Sequence, residues 1–129
     1  DFICAQILKP FFERVRPSHI SLDGLNLLVS KGGKWSMPSN HASNIITLTV
    51  VLSYFYCKTK LPLYLLAAFI SFSRVYVGVH YPGDVIAGSL FGYCIGWLIL
   101  TLWVILKMRE LKRRRTWVWY ETKNPIFIN

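Results

Sequence analysis

Residues 85–106 form an uncharged run of 22 residues. As a helix rising 1.5 Å per residue, this run would cover about 33 Å, close to the thickness of a bilayer's hydrocarbon layer. A chain of 129 residues that must house such a run is best read as an all-α transmembrane helical bundle. Residues 61–79 and 42–57 are also apolar and read as spanning helices, which gives three visible spans. The shortest, 42–57, reaches only about 24 Å, so it gains length from polar ends or lies in a thinned region. The connections are short, Lys58-Thr59-Lys60 on one side and Tyr81-Pro82-Gly83-Asp84 on the other, so successive helices alternate in direction. Phe2 to Leu8 reads as the end of a further apolar helix, and with Asp1 in first place the chain is expected to have continued upstream. The expectation is one domain, 1–129: a motif-bearing segment and surface loop at 1–41, the three spans, and a basic, aromatic tail at 107–129.

A net charge of +9 raises the question of nucleic acid, but the basic residues sit at the ends of apolar runs and not along one polar face. Lipid headgroups and phosphate are the partners that suit this placement. Lys58, Lys60 and the run Lys107, Arg109, Lys112, Arg113, Arg114 and Arg115 share one side, which the positive-inside rule makes cytoplasmic. Residues 9–41, His80 and Asp84 then face the periplasm, exterior or a lumen. Residues 18–34, with several leucines ending at Gly32-Gly33, read as a short surface helix or loop. The three cysteines, Cys4, Cys57 and Cys94, suggest neither a disulfide framework nor a zinc site.

The polar residues are informative because of where they fall. Arg74 lies inside the second apolar run, where an arginine costs roughly 2.5–3.5 kcal/mol on insertion scales. Near a helix end it could instead snorkel. Lys9 and Arg16 are seven residues apart, so on one helix they would share a face about 10 Å apart along the axis, although Pro10 and Pro17 work against a continuous helix. Ser39 or Asn40 can cap the helix that follows, and helix-start amides can also accept an anion, with His41 beside them. Asp84 stands four residues after His80 and can either cap the last helix or hold one ring nitrogen of His80 so that the other is free to attack.

Together these residues compose a site for a phosphoryl group. Lys9, Arg16 and Arg74 clamp its oxygens, backbone near Ser39 and Asn40 completes the cradle, His80 backed by Asp84 is the nucleophile, and His41 is the acid and later the base. Neither a metal nor a cofactor is called on. His19, without a partner suggested by its neighbours in sequence, reads as a surface residue. On the last helix Gly88, Gly92 and Gly96 follow Asp84 at four-residue intervals, the spacing of close membrane-helix packing. His41, Asn44 and Thr47 form a polar stripe on the first.

In chain order, Lys9 to Pro17 fits K-x6-RP, Pro38 to His41 fits PS-x-H, and Ser73 to Asp84 fits SR-x5-H-x3-D. With these three motifs the chain resembles the type 2 phosphatidic acid phosphatase superfamily over residues 9–84 and the helix after them. The resemblance implies Lys9, Arg16, Ser39, His41, Arg74, His80 and Asp84 as the active-site set, within a core of six spanning helices. Asn40 stands where the family usually has glycine, and asparagine tolerates left-handed backbone better than most residues. The implied substrate is a lipid phosphate or pyrophosphate, such as undecaprenyl pyrophosphate, phosphatidic acid, phosphatidylglycerophosphate or a lipid A phosphate. Two other readings compete with it: a non-enzymatic membrane subunit or transporter fragment with a buried polar network, and a metal hydrolase liganded by His41, His80 and Asp84.

Overall fold

A computed structural model describes residues 4–19 and 33–112. The expected surface helix within 18–34 and the tail beyond 112 therefore fall mostly or wholly outside the described residues. A π-helical turn, Cys4–Leu8, leads into the short helix α1, Lys9–Phe12, and a 3-10 turn, Pro17–His19, follows. Helices α2, Asn40–Phe55, α3, Lys60–Tyr76, and α4, Pro82–Lys112, make up the rest, with a 3-10 turn, Cys57–Thr59, between α2 and α3. Among the described residues the only strand-like pairing is one antiparallel bridge between Val15 and Trp35.

The first segment departs from the expected helix. Helix α1 stops after one turn because Glu13 takes a left-handed conformation (φ 46°), its amide returning to the Lys9 carbonyl at 3.1 Å. The chain then runs alongside residues 34–36: the Arg16 amide donates to the Lys34 carbonyl at 3.1 Å and the Ser36 amide to the Arg14 carbonyl at 2.7 Å. Lys9 and Arg16 therefore do not share the face of one helix.

Local chemistry explains the other boundaries. Ser39 is the N-cap of α2, its hydroxyl accepting from the Ala42 amide at 3.5 Å. Asn40 is the first helical residue, and among the described non-glycine residues only Glu13 has a positive φ, so the tolerance of asparagine for left-handed backbone is not used. Helix α3 ends at Tyr76, where the Val77 amide bonds the Ser73 carbonyl, and Gly78, at φ 73°, turns the chain back toward the bundle. Arg74 is consequently in the last turn, where a cation complements the helix dipole, and not deep in an apolar run. Helix α4 begins at Pro82, a residue suited to a first turn, so Asp84 lies within that turn and is not the residue capping it.

Helix α4 packs chiefly on α2, and its small-residue stripe makes the approach possible. A Cβ at Gly88 would stand 2.5 Å from the Ser39 carbonyl oxygen, one at Gly96 2.8 Å from the Val50 side chain, and one at Gly92 would collide with the Ser43 backbone. Thr47 fastens the same contact, donating to the Gly92 carbonyl at 2.9 Å or the Ser43 carbonyl at 2.8 Å. Of the polar stripe, Thr47 faces α4, while Asn44 and His41 are open on the surface.

The bundle is apolar outside and small or polar inside. Phe69, Phe72, Ile86, Leu90, Trp97 and Leu102 are exposed, whereas Ser39, Ser43, Thr49, Ala42, Ala67 and the three α4 glycines are buried. That inversion suits a hydrocarbon surround, where close packing of small side chains replaces the hydrophobic effect. Among the described residues α4 alone is long and apolar enough to cross a bilayer. At 16 and 17 residues, α2 and α3 fall short of the roughly 20 that a full span needs.

The glycine contact gives a first prediction. Gly92→Val forces α2 and α4 apart and should lower stability by roughly 1–3 kcal/mol, read as a fall in melting temperature in detergent micelles. A melting temperature equal to wild type would show that the two helices do not meet at this point.

Candidate active site

The start of α2, the end of α3 and the start of α4 lie at one end of the bundle, and the Lys9–Arg16 segment folds onto the same end. The join between them is Asp84. Its backbone carbonyl accepts the Ser39 amide at 3.0 Å, which ties the N-termini of α2 and α4 together. Its side chain has no solvent exposure, so both carboxylate oxygens need partners. Oδ1 accepts from Arg14 Nη1 at 3.0 Å and Oδ2 from the Tyr81 amide at 2.8 Å.

His80 is 4% exposed and turns Nδ1 toward Asp84 Oδ2 at 3.6 Å. This separation is too long for a formed hydrogen bond, and Nδ1 has no other hydrogen-bond partner. It lies within the range over which contacts of this kind tighten when a substrate binds. The geometry thus pairs the aspartate with one ring nitrogen and leaves Nε2 as the nitrogen available for chemistry.

Around this pair stand the cations. The charges of Arg74, Lys9 and Arg16, together with His80, all act on the His41 imidazole and, with burial as the largest cause, hold its pKa below the usual histidine value. Such influences are largely screened beyond roughly 10 Å, so these side chains lie near His41 at the same end of the bundle. Burial and the nearby Arg16 lower the Lys9 pKa, while the Asp84 carboxylate pulls in the opposite direction. Arg16 points Nε at the Trp35 carbonyl, 3.1 Å away, which fixes the direction of its guanidinium. Arg74 has a buried Nε with no hydrogen-bond partner, a donor that an anion could satisfy.

Most of the sequence-derived site is therefore assembled in one place: Lys9, Arg16, His41, Arg74, His80 and Asp84 share it. Ser39 is adjacent but differently employed, since its amide is committed to Asp84 and its hydroxyl caps α2. Asn40 sits in the first turn of α2 beside it. His19 is exposed in the Pro17–His19 turn. Arg14 is the residue that sequence reasoning passed over; its alternation with Arg16 across Val15, in a segment that is not helical, was the available signal. Among the described residues no three His, Cys, Asp or Glu side chains are grouped to hold a metal ion.

Comparison with known proteins identifies a family. The PAP2 superfamily profile matches residues 1–108. The lipid A 4'-phosphatase of Bacteroides thetaiotaomicron is 38% identical over 104 residues, covering 76% of this chain and 46% of the relative. The undecaprenyl-diphosphatase of Sulfolobus acidocaldarius is 37% identical over 97 residues, covering 74% of this chain and 47% of the relative. The crystal structure of a transmembrane PAP2 type phosphatidylglycerolphosphate phosphatase from Bacillus subtilis superposes with a TM-score of 0.56 at 32% identity, over 74% of this chain and 50% of that one. The chain spans about half the length of the curated relatives it matches.

The crowding of cations around His41 has a measurable sign. A positive neighbour disfavours the imidazolium, so removing one raises the pKa. Histidine NMR titration should show the His41 pKa rising in Lys9→Gln and rising further in Arg74→Gln, because the Arg74 charge acts on it more strongly. No change in either variant would mean that the groups do not converge.

Proposed function

The chain belongs to the PAP2 superfamily, and from that premise we propose that it forms the catalytic part of a membrane enzyme that hydrolyses a lipid phosphate or pyrophosphate through a phosphohistidine, without a metal. The observation that carries this reading is the convergence of Lys9, Arg16 and Arg74 on the space beside His41, with His80 held against Asp84. Three cations facing one volume leave an uncompensated positive field, which an oxyanion cluster such as a phosphoryl group neutralises.

The steps follow from the placement. Lys9, Arg16 and Arg74 bind the phosphoryl oxygens, and Ser39 and Asn40 at the α2 start border the same cradle. His80 Nε2 attacks phosphorus as the bond from phosphorus to the lipid oxygen breaks, while Asp84 stabilises the cation forming on the ring. His41 gives its proton to the departing oxygen. It then takes a proton from water as that water attacks the phosphohistidine, releasing inorganic phosphate and restoring both histidines.

The lipid class is inferred from the relatives, whose names specify lipid A, undecaprenyl diphosphate and phosphatidylglycerolphosphate as the molecules acted on. Membrane placement extends the same reading: α4 crosses the bilayer, and α2 and α3 complete a multi-pass bundle within a larger helical core. Lys58, Lys60, Lys107, Arg109 and Lys112 lie at the end opposite the site, a distribution that supports an extracytoplasmic site by the positive-inside rule.

The test uses the intact membrane protein in detergent with a panel of lipid phosphates and a chelator present. Wild type should release phosphate undiminished by the chelator, His80→Ala should lose about 10⁴-fold or more, and His41→Ala roughly 10²–10⁴-fold. Labelled phosphate should be trapped on His80 in the wild type. Full activity in His80→Ala removes the nucleophile assignment, dependence on added metal supports a metal hydrolase, and turnover of none of the panel supports a non-enzymatic membrane subunit.

A further inference from the structure

Arg14 belongs to none of the roles assigned above, yet it makes an ion pair with the most buried carboxylate of the site. We propose that Arg14 is a positioning residue for the phosphoryl transfer: it fixes the rotation of the Asp84 carboxylate so that Oδ2 is turned toward His80. The inference rests on the reading of His80 as nucleophile and goes beyond it by naming what holds the aspartate in register.

The terminal torsion of an aspartate is broad and roughly two-fold, so the carboxylate has no strong preference of its own. Its partners must set it. Arg14 Nη1 occupies Oδ1 at 3.0 Å, which leaves Oδ2 to the Tyr81 amide at 2.8 Å and to His80 Nδ1 at 3.6 Å. Without the guanidinium, Oδ1 would lose its charged partner in a site with no solvent exposure, and rotation of the carboxylate toward its other donors, Ser36 among them, would be favoured.

Arg14 is well placed to impose this geometry because it is itself held. Its guanidinium carbon stacks 4.2 Å from the centroid of the Tyr81 ring. Its carbonyl accepts from the Ser36 amide at 2.7 Å and the Ser36 hydroxyl at 3.0 Å. Gly83 leaves room for it, since a Cβ there would stand 3.3 Å from Nη1.

The same arrangement argues against a direct phosphate role. The side chains that bear on His41 are Arg74, His80, Lys9 and Arg16, whereas Arg14 is engaged with Asp84. Arg14 therefore backs the aspartate and is not part of the phosphoryl clamp.

The experiment compares wild type, Arg14→Met and Arg14→Lys as intact protein in detergent. Readouts are kcat, KM, inhibition by inorganic phosphate, and the His80 tautomer by ¹⁵N-histidine NMR. Arg14→Met should lower kcat by about 10- to 100-fold, the effect typical of groups that orient a functional side chain from behind. KM and inhibition by inorganic phosphate should stay within about twofold, since ground-state binding is untouched. Arg14→Lys should recover most of the loss. Wild-type His80 should show one neutral tautomer with the proton on Nδ1, and Arg14→Met a mixture.

Inhibition by inorganic phosphate weakening in step with kcat would overturn the proposal in favour of direct phosphate binding, as would an unaltered kcat and tautomer. If Arg14→Met does not fold, Tyr81→Leu removes the stacking face alone and should shift kcat and tautomer in the same direction; no shift overturns the proposal. A wild type without turnover would count against the phosphatase reading, while the tautomer comparison would still report on Arg14.

Discussion

A carboxylate shut away from water at the head of a long apolar helix is the constraint on which this molecule is organised. Asp84 has to be satisfied on every side, and its partners come from distant parts of the sequence: Arg14 from the first segment, Ser39 from the cap of α2, and Tyr81 and His80 from the turn after α3. Each of the three sequence motifs thus contributes at least one contact to the same residue. The energetic demand of a buried charge doubles as an assembly rule, because leaving any one partner out strands a polar atom.

The second determinant is the absence of side chains. Helices with large apolar groups directed outward gain little from burying them against one another in hydrocarbon, so α2 and α4 meet through glycine, serine and threonine, with backbone close to backbone. This closeness sets the spacing between the N-terminus of α2, which carries His41, and that of α4, which carries Asp84. Site geometry and helix packing are one problem in this fold.

Much of this could be read from the residues. Spacing alone paired His80 with Asp84, the four-residue glycine rhythm foretold the α4 contact, and a serine before an apolar run foretold the cap. What escaped has physical causes. Arg14 occupies an unspecified letter within K-x6-RP, and its partner lies 70 residues away, beyond the reach of any local pattern. Seven-residue spacing would put Lys9 and Arg16 on one face of a helix, but Pro10 and Pro17 work against a continuous one, and the left-handed turn at Glu13 ends α1 before Arg16. Arg74 stands nearer its helix end than an apolar run through residue 79 implies, because α3 stops at Tyr76, just before the positive φ of Gly78. Span number depends on chain length and surroundings, so the apolar runs alone did not separate a helix long enough to cross, such as α4, from shorter ones.

Gly88 shows how far function can depend on a residue with nothing to contribute chemically. Its bare Cα lies under the Ser39 peptide, so a single methyl group there would lift the cap of α2 off the first turn of α4. The imidazole carried by one helix and the carboxylate carried by the other would move apart as rigid bodies, each still well formed. Such a lesion would look like lost chemistry in any survey of variants, although its origin would be purely mechanical.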